Sequence, residues 1–119
     1  YVDVFPTLTE LAGLPAPGGL QGASLVPVLK ETGPRARDHA YTVVVRGADK
    51  LGRALHDPKF TYIEWPDGAQ QLYDAVSDPH EYRNLAGKPE HAATLVAMKA
   101  RLAQRQAEIV ADANRSGRK

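Results

Sequence analysis

The sequence predicts an α+β fold, a four-stranded antiparallel sheet with one long helix laid across it and a helix–loop segment in front. Three observations predict it. The middle of the chain holds short runs of β-branched and aromatic residues separated by Pro- and Gly-containing turns. The last third repeats apolar residues at Leu95, Met98, Leu102 and Ile109, which is helical spacing. The first third carries a short amphipathic stretch and then a Pro/Gly connector of the kind that joins domains.

The leading stretch, Asp3 to Gly13, places Val4, Phe5, Leu8, Leu11 and Ala12 on one helical face. Asp3 suits an N-cap, Pro6 is tolerated in a first turn, and Gly13 is a natural stop. Leu14-Pro15-Ala16-Pro17-Gly18-Gly19 breaks regular structure. Ser24 is expected to cap a short helical turn over Leu25 to Leu29, and Glu31 to Asp38 reads as a polar connector. Tyr41 to Arg46 reads as a strand. Gly52 to His56 and Phe60 to Trp65 flank Asp57-Pro58-Lys59 and should pair as a hairpin. Pro66-Asp67-Gly68 is a second turn, leading to a fourth strand over Gln70 to Asp74, expected to lie inside the sheet. The long helix should open near Pro89 and Glu90 and run to about Ala113, with a frayed polar tail after it.

Composition narrows the functional classes. The chain has 119 residues, 43% hydrophobic and 24% charged, which is ordinary for one globular domain. Its 15 basic and 14 acidic residues leave a net charge of +1, without the footprint of a nucleic-acid binder. No apolar run approaches the roughly 20 residues of a membrane span. The absence of cysteine excludes disulfides, thiolate zinc sites and cysteine nucleophiles from these residues.

A self-contained active site is not legible. His39, His56, His80 and His91 show no metal-ligand spacing. Asp74, Asp78 and Glu81 lack the calcium-loop pattern, and Asp78-Pro79 reads as the start of a turn. No glycine loop has phosphate-cradling spacing. The basic residues of the last helix alternate with Glu108 and Asp112, as on a solvated face.

Three stretches, in order, resemble the sulfatase family of the alkaline-phosphatase-like superfamily. Val2-Asp3-Val4-Phe5-Pro6-Thr7-Leu8 through Leu11-Ala12-Gly13-Leu14-Pro15 resembles V-D-[LVI]-[FY]-P-T-L…L-A-G-[LI]-P, and Gly22 to Leu29 resembles G-x-S-L-x-P-L-L. Gly52-Arg53-Ala54-Leu55-His56 to Trp65 resembles the family's strand pair ending in E-W. Leu72-Tyr73-Asp74 with Asp78 to Ala86 resembles E-L-Y-D…D-P-x-E-x-x-N-L-A. The Trp-ended strand and the D-P-H-E variant are most similar to iduronate-2-sulfatase-like members. His56 stands where the pattern usually has Arg, as does Ala23.

The resemblance implies the C-terminal part of a sulfuric-ester hydrolase acting on a sulfated small molecule or sugar. Residues 1–38 would be the end of an α/β catalytic domain and its connector, and residues 39–119 a C-terminal subdomain packed beside it. It implies a calcium ion and a formylglycine made within [CS]-x-P-x-R, and an exported protein, periplasmic, secreted or lysosomal. Neither the nucleophile motif nor the calcium ligands are in these residues. Ser77-Asp78-Pro79-His80-Glu81 has Glu81 where Arg is required. The chain alone is therefore expected to be inactive, with catalytic and metal-binding residues elsewhere. Arg53, His56 and Trp65 are the candidate substrate contacts at the pocket rim. Two other readings stay open: a free-standing α+β interaction module, and a phosphate- or phosphonate-ester hydrolase of the same superfamily.

Overall fold

The computed structural model describes residues 2–34, 36–47 and 50–116. The chain divides into two compact units, Tyr1–Asp38 and His39–Lys119.

The first unit is built on helix α1, Val4–Leu11. Asp3 is its N-cap residue, but the carboxylate does not cap the helix. It accepts instead from the backbone N–H of Ala23 at 2.7 Å and from Arg37 at 2.8 Å. Gly13, at φ +67°, ends the helix in the left-handed turn that glycine adopts without steric cost, and Leu14 N–H closes back on the Thr9 carbonyl. The second helix, α2, is Val26–Leu29. Its N-cap is Leu25 rather than Ser24, although the Ser24 hydroxyl accepts from Val26 N–H. Thr7 links the two, its buried hydroxyl accepting from Leu25 N–H at 2.9 Å.

The second unit is the expected sheet and helix. Strands β1 (Ala40–Arg46), β2 (Lys50–His56), β3 (Phe60–Glu64) and β4 (Gln70–Asp74) follow one another in space in that order, all antiparallel. The hairpin registers Leu55 on Tyr62 and His56 on Thr61. Asp57 makes its turn, accepting from Lys59 and Phe60 N–H. Burial raises the affinity of this carboxyl for a proton, but those backbone donors and Arg101 of the last helix outweigh it and hold its pKa below the ordinary value.

One strand is placed differently from expectation. β4 is an edge strand, not an inner one. Asn84 covers that edge: its carbonyl accepts from Leu72 N–H and Ala86 N–H, its amide donates to the Gln70 carbonyl, and Leu85 N–H donates to Leu72. The bonds therefore reach beyond the loop of Asn84 itself.

A 3₁₀ turn, Pro89–His91, opens helix α3, Ala92–Ser116. The helix passes the expected stop at Ala113, because no Gly or Pro interrupts it before Gly117. Residues 117–119 of the expected tail lie outside the described residues. Met98 and Leu102 press onto Leu55, Tyr62 and Leu72, with Tyr41, Phe60, Leu85, Ala86 and Leu95 around them. Four of these five core side chains are almost wholly withdrawn from water and stabilise the pairing by roughly 1.5–3 kcal/mol each.

Candidate functional site: the sheet face away from the last helix

Strand alternation sorts the candidates. Leu55 and Tyr62 face α3, so Arg53, two residues from Leu55 and in register with Glu64, is carried on the same helix-side face. Gly52, Ala54 and His56 of β2, with Thr61 and Ile63 of β3, belong to the other face, and Trp65, just past the end of β3 at Glu64 rather than within it, lies against Gly52 on that same face. His56 and Trp65 thus share the face turned away from α3, and Arg53 does not.

Trp65 is half-buried and lies across Gly52, whose missing side chain leaves room for the indole: a β-carbon there would stand 2.7 Å from Cζ3. The Arg46 guanidinium sits 5.5 Å from the ring centroid, a cation–π stack. At the far end of the hairpin His56 Nδ1 is 3.0 Å from the Thr61 hydroxyl. Thr61 is itself buried, with 3% of its surface exposed. Thr61 and Trp65 are four residues apart, which is about 13 Å of extended strand.

Arg46 and Thr61 were not among the sequence candidates. Thr61 was not within reach of sequence reasoning, since a three-residue turn over Asp57-Pro58-Lys59 puts Phe60 opposite His56, whereas the register centres the turn between Pro58 and Lys59 and puts Thr61 there. Nothing in the sequence signals the Arg46 stack, because it depends on the registers of two successive hairpins.

The calcium and formylglycine implied by the resemblance do not fit these residues. Among the described residues no group of three or more His, Cys, Asp or Glu could hold a metal ion. The Asp74 carboxylate is engaged by Val76 and Ser77 N–H, and Asp78 by Arg83 N–H. Those backbone donors hold the Asp74 pKa below its ordinary value. The acidic cluster builds a loop.

Comparison with known proteins gives the remaining facts. Residues 1–108 match the family described as N-sulphoglucosamine sulphohydrolase, C-terminal. The chain is 32% identical over 107 residues to a Delta 4,5-hexuronate-2-O-sulfatase of Bacteroides thetaiotaomicron, covering 85% of this chain and 22% of that protein. A solved 2-O GAG sulfatase superposes with a TM-score of 0.80 at 27% identity, over 89% of this chain and 24% of that one. A phosphonate monoester hydrolase of Agrobacterium radiobacter superposes with a TM-score of 0.71 at 28% identity, over 89% and 24%. The chain spans about a fifth of the length of the curated relatives it matches, 22% for each of the first two. No helix among the described residues is long and apolar enough to cross a membrane.

Proposed function

The chain belongs to the sulfatase family as its C-terminal part, of the N-sulphoglucosamine sulphohydrolase type, and from that premise we propose that the intact protein hydrolyses sulfate esters of anionic sugars. In this reading residues 1–38 complete the catalytic domain and residues 39–119 form a subdomain docked beside it. The formylglycine and calcium belong to the part of the protein outside this chain, in an exported enzyme. His56 and Trp65 line the substrate rim, the imidazole toward anionic oxygens and the indole as an apolar plate for a sugar ring. Arg53, the third candidate contact, is carried on the helix-side face of the sheet. The observation carrying the proposal is the family match, which runs through both compact units.

The test is sulfate release by the intact protein from 2-O-sulfated uronates and sulfated glucosamine, beside aryl sulfate, aryl phosphate and a phosphonate monoester. A sulfated sugar is expected to have the highest kcat/KM. The structural likeness to a phosphonate monoester hydrolase favours one rival, and faster turnover of the phosphonate or phosphate ester would establish it instead. The 119-residue chain alone is expected to release no sulfate above background.

A further inference from the structure

We infer that Thr61 is a positioning residue that fixes the tautomer and orientation of His56, so that the ring presents Nε2–H outward as a permanent hydrogen-bond donor to an anionic oxygen. The choice of ligand rests on the proposed sugar-sulfate reading; the lock itself does not.

Thr61 is 3% exposed, and the hydroxyl of a buried threonine needs an acceptor for its proton. Among the described residues the one partner of Thr61 Oγ1 is His56 Nδ1, at 3.0 Å. Two arrangements satisfy that distance. If Nδ1–H donated to the threonine, the hydroxyl proton would be left buried without an acceptor, at a cost of about 1–3 kcal/mol. If the hydroxyl donates to Nδ1, both groups are satisfied. The second arrangement therefore holds for the neutral ring, and its one proton sits on Nε2.

The backbone enforces it. His56 and Thr61 are register partners at the closed end of the hairpin, where Asp57 clamps the turn through Lys59 and Phe60 N–H. Neither side chain can turn from the other without losing the only partner of a buried hydroxyl. In the doubly protonated ring Nδ1–H must donate to Thr61 Oγ1, which takes away the acceptor of the hydroxyl proton, but Nε2–H still points outward. The outward atom is a donor in both charge states, matching sulfate and carboxylate oxygens, which only accept. The lock thus excludes the acceptor tautomer that would repel an anion.

The experiment has two arms. In the 119-residue chain, long-range nitrogen–proton NMR of the neutral His56 ring is expected to show the Nε2–H tautomer alone, with a slowly exchanging Thr61 hydroxyl proton close to the ring. Thr61→Val should give both tautomers in exchange, and Thr61→Ser should restore the single one. Protonated Nδ1 in the neutral wild-type ring, or no change in Thr61→Val, overturns the inference and leaves the functional reading standing. In the intact enzyme, Thr61→Val should lower kcat/KM for the sulfated sugar about fivefold to tenfold, the value of one hydrogen bond, with Thr61→Ser near wild type. An intact lock with unchanged kinetics in both Thr61→Val and His56→Phe would refute instead the placement of His56 at the rim.

Discussion

A β-carbon on Gly52 would meet three carbons of the Trp65 ring at 2.7 to 2.9 Å, so a single hydrogen at this position decides how the indole lies. Its backbone is not in the left-handed region, so close approach alone accounts for the glycine. Gly52→Ala should push Trp65 off the strand and out from under Arg46, destabilising the chain by about 1–3 kcal/mol, as overpacking does. The chain has one tryptophan, so its emission reports this directly. A red shift with a lower urea midpoint is expected, and an unchanged spectrum would contradict the packing. Tyr62 answers to pH. Burial first, then the neighbouring Glu64 carboxylate, pushes its phenol up to about 12 from an ordinary 10.0. A raised folded pKa means that the contribution to stability is complete below pH 10 and is lost as pH rises toward 12. The wild-type urea midpoint should fall across that window more steeply than that of Tyr62→Phe, which keeps the ring but cannot ionise. Parallel curves would refute it. At this scale the sequence was informative about packing and poor about partnership. Leu55, Met98 and Leu102 show themselves by spacing, whereas the pairs His56–Thr61 and Arg46–Trp65 exist only once strands are in register.

Elements with local causes were legible and those with remote causes were not. The hairpin follows from Asp57-Pro58-Lys59, because an aspartate that bonds the N–H groups two and three residues on makes its turn unaided. The position of β4 at the edge does not follow from Gln70 to Asp74, of which Leu72 is buried and the other four are half-buried. It depends on Asn84, which occupies the edge a fifth strand would need. Unpaired edges invite association, and a short polar cover is one way to close them. Asn84→Ala removes three hydrogen bonds from partly solvated groups. The expected loss is about 1–2 kcal/mol, since water replaces some of what is lost. Faster amide exchange at Leu72, without change at Leu55, is the specific signature, and equal protection at Leu72 in both proteins would refute the role. The end of α3 teaches the reverse lesson: polar composition after Ala113 suggested fraying, but helix propensity persists to Ser116.

At the scale of the whole molecule, apolar surface is distributed unevenly between the two units. The second unit has a dry centre in Leu55, Tyr62, Leu72 and Leu102. On α1 of the first, Val4, Phe5, Leu8 and Leu11 stay 48%, 52%, 59% and 54% exposed, while Pro6 and Thr7 are the residues turned inward. The helix thus holds its polar side against its own unit and its apolar side open. Completing the burial of four such side chains would be worth roughly 3–6 kcal/mol, half of the full value for each. An eight-residue helix is below the length that is stable alone in water, about 12–15 residues. It is held here chiefly by the Asp3 bonds to Ala23 and Arg37 and the Thr7 bond to Leu25. Three bonds at a net ~1 kcal/mol each limit local protection to about a hundredfold. The sheet is opened only by losing its core. In the 119-residue chain, amide exchange at residues 4–11 should therefore be far faster than at 53–56 and 61–64. In the intact protein the same amides should slow toward the sheet value, as the catalytic domain covers the open face. Protection of residues 4–11 equal to that of the sheet, in a chain shown to be monomeric, would mean that α1 needs no cover and that residues 1–38 are no part of a larger domain.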